Sequence, residues 1–130
     1  MFISNLNREQ QGILLALARK IMSADGREDE REQEKIEVIR AQCDPNVDTS
    51  KLEMQDLHEH FRSRKEKVSL LMEMSGVAYS DGECHESEKR ILEKTARSIE
   101  VPDQLLEKIN IWVANQFVLT RQAEIMMEGE

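Results

Sequence analysis

The sequence predicts an all-α fold, a compact bundle of about six to seven helices built on two pseudo-symmetric helix, Asp-Gly turn, helix hairpins. Three observations carry that prediction. Apolar residues recur at helical spacing in most segments, and no stretch alternates convincingly at period two. The clearest breakers are two Asp-Gly steps 56 positions apart, Asp25-Gly26 and Asp81-Gly82. Five Gly and two Pro in 130 residues leave little for turn-rich β architecture or a long linker. A chain of this length reads as one domain, residues 1–130, able to bury roughly two-thirds of its unfolded surface.

The elements follow in order. From about Asn5 to Ala24, Leu6, Ile13, Leu14, Leu17, Ala18, Ile21 and Met22 form one apolar stripe, and Gly26 supplies a left-handed stop. Asp29 suits the N-cap of a second helix, with Glu32 three residues on as in a capping box. Its stripe is Ile36, Ile39 and Cys43, and Asp44-Pro45-Asn46 ends it. A third, mostly polar helix spans about Thr49 to Phe61 with Leu52, Leu57 and Phe61. The fourth, about Lys65 to Ser80, is apolar on more than one face, as a helix packed from several sides would be. The fifth runs from about His85 to Ile99. After Val101-Pro102-Asp103 comes a long last helix, on which Trp112 and Phe117 share a stripe with Leu105 and Ile109 and read as core. Met126-Met127 fit either a frayed end or a partner-facing anchor.

Shifting the chain by 56 residues lays Ala24–Glu32 on Ser80–Glu88, with Asp, Gly and two Glu positions identical. It also pairs Leu14 with Leu70, Ile21 with Val77 and Ile36 with Leu92, so the repeat halves are about 10–43 and 66–99. Hairpin grammar accounts for much of this: Gly stops one helix and Glu caps the next. Asp25 and Asp81 fit that grammar poorly. A carboxylate at the negative end of a helix dipole is disfavoured by about 0.3–1 kcal/mol. A bound cation would resolve this, because carboxylates and helix-end carbonyls suit a hard ion such as Ca²⁺ or Mg²⁺. No D-x-D-x-D-G run of an EF-hand is present.

These residues resemble the TerB-like family, helical domains associated with tellurite resistance and also found beside DnaJ-type chaperone domains. The resemblance rests on LLALARKIMSADGREDEREQEKIEVI and LLMEMSGVAYSDGECHESEKRILEKTARSI and covers roughly residues 10–100. It implies two related helical hairpins whose acidic residues form a cation site, here Asp25 and Glu32 in the first copy and Asp81 and Glu88 in the second. The sequence departs from the family pattern at His85, where Ser, Thr or Asp is common, and at Ser80 in place of Ala.

Charge narrows the function classes. Asp and Glu number 26 against 18 Lys and Arg, a net charge of -8. That balance disfavours nucleic acid and anionic membrane. No signal peptide or membrane span is read, so the expectation is a cytoplasmic chain with no membrane insertion. Cys43 and Cys84 lack ligand spacing; one long-range disulfide is open to them, and two free thiols suit a reducing compartment better. Cys84-His85, adjacent in a loop, lack the geometry of a thiol nucleophile and base. His58 and His60, two apart, cannot chelate as an i, i+4 pair and read as solvated. No P-loop, dinucleotide fingerprint or serine elbow occurs, and the expectation is a protein that is not an enzyme. Two functions follow from the residues: a divalent-cation-binding domain with a stress-related sensing or scaffolding role, or a metal-free helical module for a protein partner, with a homodimer among its forms.

Overall fold

The computed structural model describes residues 2–24, 30–47, 56–80 and 84–129, without the side chains of residues 31 and 32. A single 3-10 turn, Ile3–Asn5, precedes α1 (Arg8–Ser23), α2 (Glu30–Gln42), α3 (Leu57–His60), α4 (Arg64–Ala78), α5 (Glu86–Ser98) and α6 (Asp103–Glu128). Among the described residues there is no strand, and the fold is the helical bundle that the periodicity implies.

The 56-residue repeat extends further than the Asp-Gly motif. Moved by that offset, the start of α1 falls on the start of α4, and α2 falls on α5 from first residue to last. The offset also superposes two capping boxes. Asn7 Oδ1 accepts from the Gln10 N–H at 2.8 Å, and Gln10 Oε1 accepts from the Asn7 N–H at 2.8 Å. Ser63 Oγ accepts from the Glu66 N–H at 3.1 Å, and Glu66 Oε1 accepts from the Ser63 N–H at 3.2 Å. Each box satisfies two donors that a helix start otherwise leaves open. The first box begins α1 three residues later than apolar spacing suggests, because Asn7 caps while Leu6 stays outside the helix and buried. The two boxes also meet: the Gln10 side chain hydrogen-bonds Glu66 and, with the box's own donors, holds that carboxyl below its ordinary range.

The fourth helix is central, as its all-round apolarity requires. It packs against α1, α2, α5, α6 and the N-terminal turn. Leu70, Leu71, Met74, Val77 and Ala78 are fully buried on it, facing a core that includes Leu14, Leu15, Leu17, Ala18 and Ile21 of α1. Fully burying each large aliphatic side chain contributes roughly 1.5–3 kcal/mol. Gly76 lets α2 come close: a Cβ there would lie 3.3 Å from Lys35 Cε. Polar groups on α4 make specific ties. Ser69 Oγ accepts from Asn5 Nδ2 at 3.0 Å, and the Ser75 hydroxyl donates to Asn110 Oδ1 at 2.8 Å.

The structure amends four expectations. Of the segment from Thr49 to Phe61, residues 48–55 lie outside the described residues; the helix present is the single turn Leu57–His60, and Phe61 is buried in extended backbone beyond it. His60 is half-buried rather than solvated, with Nδ1 3.2 Å from Glu9 Oε1. Trp112 is 38% exposed and not core, because α6 buries only the stripe Leu106, Ile109 and Val113, and Trp112 falls on its flank. There its ring meets Phe2 with centroids 5.7 Å apart. Finally, Met126-Met127 belong to a helix that continues to Glu128, not to a frayed end.

The α5–α6 junction stops at Glu100, held at φ 60°, where the Val101 N–H donates to the Ala96 carbonyl at 2.8 Å. This is the left-handed helix stop that usually takes glycine. Glu100→Gly is therefore expected to stabilise the fold by about 0.5–1 kcal/mol in urea unfolding, whereas Ser63→Ala should cost about 1 kcal/mol. The lowered Glu66 carboxyl adds stability that is present above the unfolded carboxylate range and is lost as pH falls through its folded value. The urea midpoint of Glu66→Gln should accordingly fall less between neutral pH and acid than that of the wild type.

Candidate functional site

The second hairpin turns between α4 and α5. Helix α4 ends at Ala78, with the Tyr79 N–H donating to the Ser75 carbonyl at 2.9 Å and the Ser80 hydroxyl donating to the Val77 carbonyl at 2.8 Å. Asp81 and Gly82 lie outside the described residues. The chain re-enters at Cys84 and His85, and His85 serves as N-cap residue of α5. Glu88, in the first turn, is 1% exposed and accepts from the His85 backbone N–H through Oε1 at 3.1 Å. An ionised carboxylate at the positive end of a helix dipole is favoured there, and its burial holds the turn against the core.

Tyr79 and Cys84 bracket this turn. Burial pushes the Tyr79 phenol up, and the neighbouring Cys84, through its charge and a hydrogen bond, pushes it further. Cys84 is half-buried, Cys43 is buried on the other side of the molecule's sequence repeat, and neither is disulfide-bonded. The Cys43 thiol is raised by burial first and by the Glu73 charge second, with Arg40 opposing.

Of the four acidic candidates, Glu88 alone has a described side chain. Asp25 lies outside the described residues; Glu32 stands in the first turn of α2, the position equivalent to Glu88, with its side chain undescribed. Among the described residues no group of three or more His, Cys, Asp or Glu could hold a metal ion. Glu88 is thus placed as a buried cap, and its convergence with Asp81 falls outside the described geometry.

A second buried carboxylate escaped the sequence reading. Glu73, in the middle of α4, is 4% exposed and accepts from the Phe2 N–H at 2.8 Å through Oε1, tying the N-terminus to the central helix. Its only sequence signal is position: the one charged residue in the stretch Val68 to Ala78. Beside it, a cavity of about 180 Å³ is lined by Phe2, Lys35, Glu73, Trp112 and Phe117, among others. A larger cleft between α5 and α6 mixes Lys89 and Arg97 with Glu93, Asp103 and Glu107, so neither charge sign dominates it.

An all-helical bundle of two equivalent hairpins, each with an acidic start to its second helix, defines the class of protein. The family model described as tellurite resistance protein TerB matches residues 36–111, more than half of the chain, and the chain belongs to that family. The match includes the second hairpin with Asp81 and Glu88 and ends within α6; Asp25 and Glu32 precede it. No match is found among curated proteins or among solved structures.

The two thiols should differ in reactivity, since the thiolate is the nucleophile and burial disfavours it. A disulfide-exchange reagent on the native protein is expected to titrate Cys84 first, with Cys43 reacting only on unfolding; simultaneous reaction would contradict the burial assigned to Cys43.

Proposed function

We propose that this TerB-family chain is a non-catalytic cytoplasmic domain that takes up a divalent cation, Ca²⁺ or Mg²⁺, at its Asp-Gly turns and serves a stress-related, tellurite-resistance-type sensing or scaffolding role. Asp81 and Glu88 are its ligands in the second copy, and Asp25 and Glu32 in the first. The observation that supports this reading best is the burial of Glu88, 1% exposed directly after the Asp81 turn and within the matched segment. Burying a carboxylate costs several kcal/mol unless charge or hydrogen bonds offset it. A helix dipole and the His85 N–H offset that cost, and a hard cation drawing on Asp81 and Glu88 would offset it as well. The same ion would remove the penalty of an Asp at a helix C-terminus. No step of bond chemistry is assigned to the site.

A metal-free interaction module is the second reading, and one observation favours it: the distal half of α6 exposes Val118, Leu119, Met126 and Met127. Helical domains that expose apolar residues together use them against partners.

Titration calorimetry with Ca²⁺, Mg²⁺ and Mn²⁺ separates the two. Wild type should bind, and Asp81→Asn and Glu88→Gln should each weaken binding at least tenfold, about 1.4 kcal/mol. Glu88→Gln keeps an oxygen for the His85 N–H, so the cap survives while the charge goes. Absence of binding by wild type at millimolar cation would overturn the cation reading and leave the interaction module.

A further inference from the structure

Helix α6 has two apolar faces; the bundle packs on one and touches the other only at its edge, where Phe2 meets Trp112. Leu106, Ile109 and Val113 face the core, and no residue after Val113 is buried. Phe117, one turn on, still packs partly buried against the core, and the turns after it run past the bundle. Roughly 160° around the helix from the core stripe lies a second apolar stripe. It consists of three adjacent pairs at heptad spacing: Ile111-Trp112, Val118-Leu119 and Ile125-Met126. Ile111, Val118, Leu119 and Met126 are 55%, 55%, 56% and 75% exposed.

Charge is arranged around that stripe. Residues 109–120 carry no charged side chain, in a chain that is 34% charged. The charges that follow pair with one another away from the stripe: Arg121 Nη1 lies 3.2 Å from Glu124 Oε2 and 3.6 Å from Glu128 Oε1. A partner chosen by charge would find nothing here to recognise. An uncharged helical face is complementary to another one.

The stripe is also palindromic. About the midpoint between Val118 and Leu119, Ile111 mirrors Met126 and Trp112 mirrors Ile125. In a two-fold interface residue i meets j while j meets i, so antiparallel pairing about this midpoint sets each apolar position against another apolar one. We propose that the distal half of α6 pairs antiparallel with α6 of a second copy, with the two-fold axis between Val118 and Leu119. The pairing holds two bodies of net charge -8 together through a face that carries no charge over residues 109–120. The exposed apolar surface of the stripe is on the order of 500 Å² per copy; Asn115 and Gln122, which lie between the pairs on the same face, and Ala123 at its edge bring it toward the ~800 Å² per partner of a stable interface. Sulfur–aromatic contact adds to it, because the antiparallel register sets Met126 near Ile111 and Trp112 of the other copy. This inference does not depend on cation binding.

Multi-angle light scattering with sedimentation equilibrium tests it on the full chain. At ~100 µM, where an interface of this size should be populated, wild type should run at about twice 15.1 kDa. Val118→Glu/Leu119→Glu should be monomeric, its dimer dissociation constant raised more than tenfold, with an unchanged helical circular dichroism signal because both side chains lie in solvent. A monomeric wild type overturns the proposal, and so does a dimer that survives the double substitution. Register is tested by single cysteines in a Cys43→Ser/Cys84→Ser background. Leu119→Cys should cross-link to itself on mild oxidation and Ile111→Cys should not; equal cross-linking at both sites overturns the antiparallel pairing.

Discussion

Burial of the facing sides of α1 and α4 removes Leu14, Leu17, Ile21, Leu70, Met74 and Val77 from water, and the other helices are arranged around that contact. The sequence repeat explains why it forms. Leu14 and Leu70, and Ile21 and Val77, are equivalent positions, so each hairpin presents the same apolar pattern to its counterpart. The capping boxes Asn7–Gln10 and Ser63–Glu66 fix where both helices start, and the Gln10–Glu66 hydrogen bond ties those starts together. A stripe that neither hairpin could bury alone becomes their shared core.

Polar groups inside that core give the packing its register. Glu73 holds the N-terminus at Phe2, Ser69 holds Asn5, and Ser75 holds Asn110 of α6. All three lie on α4, so the central helix is fastened to the N-terminal turn and to α6. Gln10 and Gln11 add ties between α1 and the loops, to the His60 carbonyl and the Asp44 N–H. Buried polar groups that are hydrogen-bonded cost little and exclude alternative packings in which they would lose their partners.

The fold was legible in the sequence where apolar spacing and breakers agreed. The all-round apolarity of Val68 to Ala78 marked α4 as central, and of the predicted stripe Ile36 and Ile39 are buried on α2 and Cys43 directly after it. Spacing misled where a cap or an end decides the outcome. Leu6 fits the α1 stripe yet precedes the cap, and Trp112 fits the α6 stripe yet falls on the flank of the face that the bundle buries. Apolar periodicity reports a face, not whether a neighbour reaches it. Of the acidic candidates, Glu88 was legible because capping chemistry places it; Glu73 was not, because its partner is a backbone N–H from 71 residues away. Family membership follows from residues 36–111, which hold the second Asp-Gly turn but not the first.

The central physical claim is that α1 and α4 form one cooperative unit on which the other helices depend, while the distal half of α6 stands outside it. Native-state hydrogen exchange measures this residue by residue, since opening free energies separate local from global unfolding. The account predicts that the mid-helix amides of α1 and α4 share the slowest exchange, at the global stability, and that amides beyond Val113 of α6 exchange through smaller openings at concentrations where the chain is monomeric. Exchange of α1 amides through an opening that leaves α4 and α5 protected would contradict it.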